Sequence, residues 1–225
     1  EQIQSPASVP WSGWREERRA NYLKTMTPAD LPGNVHMGKV IQVLSEAMPD
    51  DAIICNGAGN YAAFLHRHFT YKGYRTQLAP TSGSMGYGLP AGVAAKVAFP
   101  DRPSIVLAGD GCFMMTCQEL ATCMQYELPV VVVVANNGMY GTIRMHQERE
   151  YPERVVGTRL TNPDFAKFAE SFGGHGETVT STADFKPALE RAIASGKPAV
   201  IELKLDPEAL TPRQTLSALR ATAKA

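Results

Sequence analysis

This chain of 225 residues lacks excess charge, long apolar runs and repeats, and each absence excludes a class of protein. The 22 lysines and arginines are balanced by 22 aspartates and glutamates, so no excess charge argues for nucleic acid or an anionic membrane as a partner. No apolar run approaches the roughly 20 residues that a membrane-spanning helix needs. Neither an internal repeat nor a low-complexity tract is present. The composition therefore predicts an ordinary soluble globular protein.

Cysteine is scarce as well. The four cysteines form no Cys-x-x-Cys pair, and three of them lie in or beside one predicted helix. This arrangement argues against a disulfide framework or a zinc site and favours a reducing, cytoplasmic location. No signal peptide is evident, and because the chain begins at Glu1 rather than at a methionine we expect a further part upstream.

Two short apolar runs stand at the centre of the chain, Ile105–Ala108 and Val130–Ala135. Both lack polar alternation and are rich in β-branched residues, which is typical of strands buried on both faces of a parallel sheet. Each run ends abruptly in turn-forming residues, Gly109-Asp110-Gly111 after the first and Asn136-Asn137-Gly138 after the second. We therefore predict two buried parallel strands that end in polar groups.

These polar groups predict a ligand site, because ligands of open α/β sheets bind in the crevice beyond the carboxyl ends of the strands. The carboxylate of Asp110 and the carboxamide of Asn137 are oxygen donors that Mg²⁺ accepts when phosphate oxygens complete its coordination. A helix expected after Gly111 would point its free N–H groups at such a phosphate. The alternative is that both segments are ordinary loops.

The order of elements predicts the fold class. Strands alternate with helices between Ala52 and Leu203, which gives about six βα units and an α/β fold. We expect a doubly wound, mostly parallel sheet of about six strands with helices on both faces, formed by residues 35–205. Residues 1–34 are interrupted by prolines and predict a connecting arm with only a short helix at Trp11–Arg19, whose two tryptophans dock onto the domain. Residues 206–225 predict a tail with a weak helix.

Two helices of this domain are predicted from their local signals. Cys112–Tyr126 is expected to form one helix after the Gly-Asp-Gly turn. A second helix is expected at Pro163–Phe172, because Asn162 is a favourable N-cap and proline is favoured at the first helical position.

The spacing of the polar strand ends resembles a known motif. Asn137 stands 27 residues after Asp110, and Gly-Asp-Gly followed at this distance by Asn-Asn resembles the diphosphate-binding motif of thiamine-diphosphate enzymes. By this resemblance, Mg²⁺ is held by the side chains of Asp110 and Asn137 and by the main-chain oxygen of Met139. The resemblance covers roughly residues 35–205 and is closest to the acetolactate synthase-like group.

A second stretch carries the same resemblance. Gly83-Ser84-Met85-Gly86 matches the family's Gly-x-Met/Ile/Leu-Gly turn before a helix of small residues. The resemblance implies that the Gly83 carbonyl accepts from the 4′-amino group of the cofactor and that Met85 wedges between its two rings. Filling a gap in the core is the alternative role for Met85. The residues implied to contact the cofactor are Gly59, Asn60, Gly83, Ser84, Met85, Gly109, Asp110, Gly111, Cys112, Asn137, Met139 and Tyr140.

The resemblance also implies what the protein does. Family members use the thiazolium ring to attack a 2-oxo acid and to hold the electron pair when CO₂ leaves. They carry a pyrimidine-binding domain and a middle domain before the domain seen here, and a Glu of a neighbouring subunit starts the reaction. We therefore expect the chain to be the C-terminal part of a homodimeric or homotetrameric decarboxylase or carboligase, inactive alone, with no catalytic residue of its own.

The substrate stays open at the sequence level. His146 occupies a position where branched-chain acetolactate synthases typically carry Trp, so a decarboxylase, carboligase or oxidase acting on another 2-oxo acid is an equal alternative. Arg144 and His146 are either substrate contacts or solvated residues at the lip of the site. Exposed apolar surface that faces a partner is expected around Tyr87, Leu89 and Met114.

Two other classes of protein are consistent with parts of the sequence. Gly57–Ala62 matches the dinucleotide-binding pattern G-x-G-x-x-A after a strand, which would indicate a nicotinamide-dinucleotide domain. The acid that such a domain needs about 20 residues later is absent from Gln77–Thr81. The glycines are alternatively a second phosphate-facing turn, with Gly59 and Asn60 beside the diphosphate, or a helix–strand packing contact. A non-catalytic assembly module of the same fold is the other alternative.

Overall fold

The computed structural model describes residues 9–224. Its strands are β1 (Ile53–Asn56), β2 (Gln77–Leu78), β3 (Ser104–Gly109), β4 (Val130–Asn136), β5 (His175–Val179) and β6 (Ala199–Lys204). Its helices are α1 (Ser12–Met26), α2 (Met37–Ala47), α3 (Asn60–His68), α4 (Gly88–Ala98), α5 (Asp110–Phe113), α6 (Glu119–Gln125), α7 (Gly141–Glu150), α8 (Phe165–Ser171), α9 (Phe185–Ala194) and α10 (Leu216–Lys224). A 3₁₀ turn, Thr182–Asp184, precedes α9.

The six strands form one sheet in the order β2-β1-β3-β4-β6-β5, and every strand pairing in residues 9–224 is parallel. Parallel neighbours need crossover connections, which the intervening helices supply. The predicted α/β class with a doubly wound sheet of about six strands is confirmed. The chain order changes direction beside β1, because β2 lies on one side of it and β3 on the other.

The sheet is covered on both faces because its strands alternate between two apolar cores. One core joins the sheet to α2, α3 and α9 and includes Ile105, Leu107 and Val131. The other joins it to α4, α6 and α8 and includes Val106 and Val132. Neighbouring residues of one strand therefore serve opposite cores, which explains why the strands read as continuous apolar runs.

Helix α4 lies very close to the sheet, and its glycines make this approach possible. An added Cβ at Gly92 would lie 2.3 Å from Cγ2 of Val106 on β3. An added Cβ at Gly88 would lie 2.9 Å from the backbone nitrogen of Gly57. Because neither contact has room for a methyl group, the small residues of α4 are a packing requirement.

The helix predicted at Cys112–Tyr126 is wrong in one respect, since the structure divides this segment into α5 and α6. Residues 114–118 between them form turns, in which Thr116 N–H donates to the Phe113 carbonyl at 3.1 Å. The Thr116 hydroxyl donates to the carbonyl of Gly86 in a neighbouring loop at 2.9 Å. This tertiary contact is not visible in local helix propensity.

The segment before α8 also differs from expectation. The helix begins at Phe165, and its N-cap is Asp164, whose side chain accepts from Lys167 N–H at 3.0 Å. Asn162, predicted as the N-cap, therefore lies outside the helix.

The terminal segments contain more helix than the sequence indicates. The arm forms the 15-residue helix α1, which continues to the residues just before Pro28 and contains no buried side chain. Trp11 and Trp14 are exposed, so the expectation that they dock onto the domain is wrong for the described residues. Helix α10 packs on α7, and Leu210, Leu216 and Leu219 form a buried cluster with Met139. The proposed domain boundaries after residues 34 and 205 stay predictions.

Two further expectations concern the surface. Tyr87 and Met114 are exposed as expected, but Leu89 is 1% exposed and belongs to the core beneath α4. The expectation for Leu89 is wrong because the helix turns this side chain toward the sheet. In residues 9–224, no helix is both long enough and apolar enough to cross a membrane.

Candidate active site

One cavity lies at the carboxyl ends of β1, β3 and β4, where the chain order of the sheet changes direction. This is the position at which open α/β sheets bind ligands. Its lining comes from the loops after these strands, from the first turn of α7 and from the segment after β6. The lining residues are Met37, Ala58, Gly59, Asn60, Tyr61, Phe64, Met85, Gly109, Asp110, Gly111, Cys112, Ala135, Asn137, Met139, Tyr140, Gly141, Thr142, Ile143, Leu205, Ala209 and Leu210.

The structure brings most of the residues predicted from the sequence to this cavity. Those that line it are Gly59, Asn60, Met85, Gly109, Asp110, Gly111, Cys112, Asn137, Met139 and Tyr140. Gly83 and Ser84 are not among the lining residues and lie on an exposed turn, in which Gly83 has a φ of 70°. Their contact with a cofactor stays a prediction.

The register of the sheet explains why Asp110 and Asn137 meet. Gly109, the last residue of β3, pairs with Ala135 of β4. Asp110 therefore lies beside the end of β4, at the level of Asn136 and one residue before Asn137. The side chain of Asn137 accepts from Met139 N–H at 3.2 Å, which shapes the loop that presents the Met139 backbone.

Asp110 is a buried carboxylate with neutral partners. Its Oδ1 accepts from Gly111 N–H at 2.9 Å, and its Oδ2 accepts from Gly138 N–H and from Asn162 Nδ2, both at 2.8 Å. Burial raises the pKa of Asp110, and the three hydrogen bonds act in the opposite direction. In the part of the chain that the structure describes, no lysine or arginine forms an ion pair with Asp110.

Glycines give the cavity its floor because aromatic rings pack directly against them. An added Cβ at Gly111 would lie 2.5 Å from a ring carbon of Tyr140. An added Cβ at Gly59 or Gly109 would lie 2.6 or 2.8 Å from the ring of Tyr61. A side chain at any of these positions would displace a ring that borders the cavity. Glycine is therefore required here, and its backbone lies at the cavity wall.

Tyr61 is held in this place by its hydroxyl group, which donates to Sγ of Cys112 at 3.2 Å. Sγ of Cys112 also accepts from Gly86 N–H at 3.1 Å. Burial is the main cause of a raised pKa for Tyr61, so the phenol is neutral at pH 7. Cys112 thus ties the loop after β3 to the turn that carries Met85.

Met85 reaches the cavity from this turn. Its side chain is 36% exposed and does not belong to either core of the sheet. Core filling, the alternative role considered for Met85, is therefore not what the structure shows.

Helix α7 covers one side of the cavity and carries Arg144 and His146, neither of which lines the cavity. Arg144 forms an ion pair with Glu148, which also binds Arg220 of α10 through contacts of 2.8 and 3.0 Å. His146 is exposed and is not among the lining residues. Thr142, which the sequence did not single out, accepts from Asn60 N–H at 3.0 Å and joins α7 to the start of α3.

Several residues of the site were missed by sequence reasoning. Asn162 contacts both Asp110 and Asn136. The local signals at Asn162 and Asn136 indicate only a helix cap and a strand end. Leu210 closes the cavity from a segment predicted as a tail. Tyr61 stands at a variable position of the pattern Gly57–Ala62, which gives no role to its side chain. Each of these roles depends on contacts between distant parts of the chain.

The donor set of the cavity fits a small divalent cation together with phosphate. Residues 9–224 contain no cluster of three or more His, Cys, Asp or Glu side chains that could hold a metal alone. Asp110 and Asn137 instead offer one carboxylate and one carboxamide, and Met139 adds a main-chain oxygen. Mg²⁺ binds in this way when substrate phosphates and water supply the remaining ligands. A buried carboxylate without a cationic partner is also costly, and a cation would remove that cost.

A parallel α/β sheet with a cavity that is lined by glycines and a carboxylate, at the point where the strand order reverses, is typical of domains that bind phosphate-containing cofactors. Comparison with known families specifies the cofactor class. Residues 57–203 match the family model described as "Thiamine pyrophosphate enzyme, C-terminal TPP binding domain". The chain belongs to this family of thiamine-diphosphate-dependent enzymes, which confirms the resemblance seen in the sequence.

Individual relatives support the same assignment. The chain is 35% identical over 76% of its length to "Putative thiamine pyrophosphate-containing protein YdaP" of Bacillus subtilis, of which the match covers 30%. It is 32% identical over 79% of its length to the acetolactate synthase isozyme 2 large subunit of Escherichia coli, of which the match covers 33%.

Among solved structures, the chain resembles the thiamine diphosphate-dependent 4-hydroxybenzoylformate decarboxylase of Rhodococcus jostii RHA1. The TM-score is 0.74 at 29% identity, and the match covers 80% of this chain and 34% of that one. The chain thus spans about a third of the length of the relatives that it matches.

Proposed function

We propose that this chain binds the diphosphate of thiamine diphosphate through Mg²⁺, as part of an enzyme that decarboxylates a 2-oxo acid or joins it to a second carbonyl compound. The observation that carries the proposal is the carboxylate of Asp110, which is 3% exposed, has only neutral partners and lies in the same cavity as Asn137 and Met139. A divalent cation bridged to a diphosphate would give this charge its partner.

Each group of the cavity then has a definite task. Asp110 and Asn137 would bind Mg²⁺ through their side chains, and Met139 through its carbonyl oxygen. The backbone of Gly109 and Gly111, which lines the cavity, would approach the diphosphate. Met85 would support the rings of the cofactor from the opposite side. When bound, the cofactor supplies the carbanion chemistry at its thiazolium ring, while the chain holds and orients it.

The substrate class follows from the relatives only in part. Their printed names include acetolactate synthases, sulfoacetaldehyde acetyltransferases and the 4-hydroxybenzoylformate decarboxylase. These names support a decarboxylase or carboligase and do not single out one substrate. We place the substrate side chain beside Ile143 of α7, because this exposed apolar residue lines the cavity.

The partners of the chain are part of the same proposal. The relatives are about three times as long as the matched region, which supports a pyrimidine-binding domain and a middle domain elsewhere in the enzyme. The initiating Glu would come from that pyrimidine-binding domain in a neighbouring subunit. We therefore propose a cytoplasmic homodimer or homotetramer, and a chain of these 225 residues that catalyses nothing by itself.

The proposal is tested by calorimetric titration of the full-length protein with thiamine diphosphate, with and without Mg²⁺. A nicotinamide dinucleotide serves as the comparison ligand. We expect thiamine diphosphate to bind only when Mg²⁺ is present and the dinucleotide not to bind. Binding of the dinucleotide alone would support the rival interpretation of Gly57–Ala62. Absence of binding by either ligand in the full-length protein would support a non-catalytic assembly module. CO₂ release from pyruvate by these 225 residues alone would contradict the proposed division of the site.

A further inference from the structure

We infer that Asn162 is a positioning residue for the metal ligand Asp110, and that a buried carboxylate in β6, Glu202, fixes its orientation through Asn136. This inference rests on the proposed function, because it concerns the same Mg²⁺ site. The residues involved come from four separate segments: the start of α5, the end of β4, the segment before α8, and β6.

Asn162 holds Asp110 with a single amide nitrogen that serves two acceptors. Its Nδ2 lies 2.8 Å from Oδ2 of Asp110 and 2.9 Å from Oδ1 of Asn136. An amide nitrogen has two N–H groups, so both hydrogen bonds can form at once. The oxygen of Asn162 could serve neither acceptor, so this side chain has only one productive orientation.

The orientation of Asn136 is fixed in turn by Glu202. Nδ2 of Asn136 lies 2.5 Å from Oε1 of Glu202, which is 0% exposed. The carboxylate oxygen accepts from the amide N–H, so the nitrogen of Asn136 faces Glu202 and its oxygen faces Asn162. Lys204 holds the same Glu202 oxygen at 2.6 Å and balances its charge. The N–H of Gly138 also donates to Oδ1 of Asn136, at 3.1 Å. The ion pair in β6 and this N–H group together determine the orientation of Asn136 and, through it, that of Asn162.

The consequence falls on the carboxylate of Asp110. Its Oδ2 accepts two hydrogen bonds, from Asn162 and from Gly138 N–H, whereas Oδ1 accepts one, from Gly111 N–H. Both lone pairs of Oδ2 are therefore used by hydrogen bonds within the protein, and Oδ1 keeps one lone pair that can bind a cation. Without Asn162 only the N–H groups of Gly111 and Gly138 would restrain the carboxylate against rotation about χ2, which is a broad torsion.

Within residues 9–224, the side chain of Asn162 forms hydrogen bonds only to Asp110 and Asn136. The N-cap of α8 is Asp164, which already accepts from Lys167 N–H. The amide of Asn162 is thus available to the site although it stands beside a helix start. Partners in the outer shell of metal sites typically contribute 10–100-fold to metal affinity.

The test compares Asn162→Ala with Asp164→Ala in the full-length protein. Both substitutions loosen the same segment, but only the first removes a contact to Asp110. At saturating thiamine diphosphate, the half-saturating concentrations of Mg²⁺ and Ca²⁺ are measured by calorimetry. Mg²⁺ requires near-ideal octahedral geometry, whereas Ca²⁺ tolerates irregular coordination. A positioning role should therefore affect Mg²⁺ more than Ca²⁺.

For Asn162→Ala we expect the half-saturating Mg²⁺ concentration to rise by about 10–100-fold, with a several-fold smaller rise for Ca²⁺. For Asp164→Ala both values should stay within about twofold of the wild type, although the melting temperature falls through loss of the cap. If Asn162→Ala does not fold, Asn162→Ser carries the test, because its hydroxyl can serve only one of the two acceptors and should give an intermediate rise.

Three outcomes would overturn the inference. The first is a Mg²⁺ affinity of Asn162→Ala equal to that of the wild type, a result that leaves the proposed function intact. Equal losses for Mg²⁺ and Ca²⁺ that Asp164→Ala reproduces would indicate general loosening of the segment. If the wild-type protein itself shows no metal-dependent binding of thiamine diphosphate, the proposed function fails and the inference fails with it.

Discussion

The backbone N–H of Gly138 donates to Oδ2 of Asp110 across 2.8 Å, so the loops after β3 and β4 are joined directly at the cavity. This bond fixes the turn that presents Asn137 and Met139 relative to the carboxylate. The candidate metal ligands are therefore parts of one hydrogen-bonded unit. A substitution at any of them should therefore lower the affinity for the cofactor more than it lowers the free energy of unfolding.

Asp110→Asn is expected to abolish most metal-dependent binding of thiamine diphosphate. The variant loses one anionic ligand to a divalent cation, and we expect an affinity loss above the roughly 10–100-fold that outer-shell changes cause. Without metal, its thermal stability should change little, because removal of a buried charge is offset by an NH₂ group that must face the N–H of Gly111 or the two donors at Oδ2. Calorimetry with Mg²⁺ and a melting curve without it measure the two effects. Tight binding by this variant would exclude Asp110 as a ligand.

Met85→Ala should weaken thiamine diphosphate binding while leaving stability nearly unchanged. The side chain lines the cavity and is 36% exposed, so little apolar surface is buried in the free protein. Met115→Ala is the matched control, because Met115 is 48% exposed and does not line the cavity. Affinity and unfolding free energy are measured for both. A large stability loss confined to Met85→Ala would indicate a core role instead.

Gly92→Ala is expected to destabilise the fold by about 1–3 kcal/mol, the usual cost of overpacking a core. The added Cβ would lie 2.3 Å from Cγ2 of Val106, so α4 or β3 must shift. Gly13→Ala is the control, since an added Cβ there meets nothing within 4 Å and alanine favours the helix. Urea unfolding of both variants provides the comparison, and equal stabilities would contradict the close approach of α4 to the sheet.

Arg220→Ala should release α10 from α7 and lower stability by about 2 kcal/mol, since hydrogen bonds to charged groups contribute roughly 1.5–3 kcal/mol. Arg220 makes two contacts with the carboxylate of Glu148, which is 1% exposed. Hydrogen exchange should increase mainly in α10 and in the loop with Leu210. Arg213→Ala, an exposed arginine in the same segment, should change neither quantity.

The same pair predicts a pH dependence. The hydrogen bond from Arg220 is the main cause that lowers the pKa of Glu148 from 4.5 to about 2, and Arg144 and the N–H of Glu153 act in the same direction. The stabilisation is therefore present above pH 4.5 and is lost as the pH falls toward 2. The difference in unfolding free energy between the wild type and Arg220→Ala should shrink over this range. A difference that stays constant from pH 6 to pH 2 would contradict this assignment.

Much of the fold and part of the site could be predicted from local patterns. The strands around Val106 and Val132 are continuous apolar runs that end in turn residues, and such runs suffice to predict a buried parallel sheet. Asp110 and Asn137 could be chosen because parallel strands end at one edge of the sheet. Asn162 could not, because the sequence Asn-Pro-Asp satisfies the rules for a helix start whether or not its first side chain has a distant partner.

The sequence by itself determined the class of the protein, because hydrophobic period, turn residues and motif spacing are properties of short stretches of chain. Only the tertiary structure decided which amides hold Asp110, that Tyr61 and Tyr140 pack against glycines at the floor of the cavity, and that α10 joins the wall beside it. These contacts depend on the register of β3, β4 and β6 and on the crossing of helices. The free energy that selects them comes from burying side chains distant in sequence against one another, which no local pattern records.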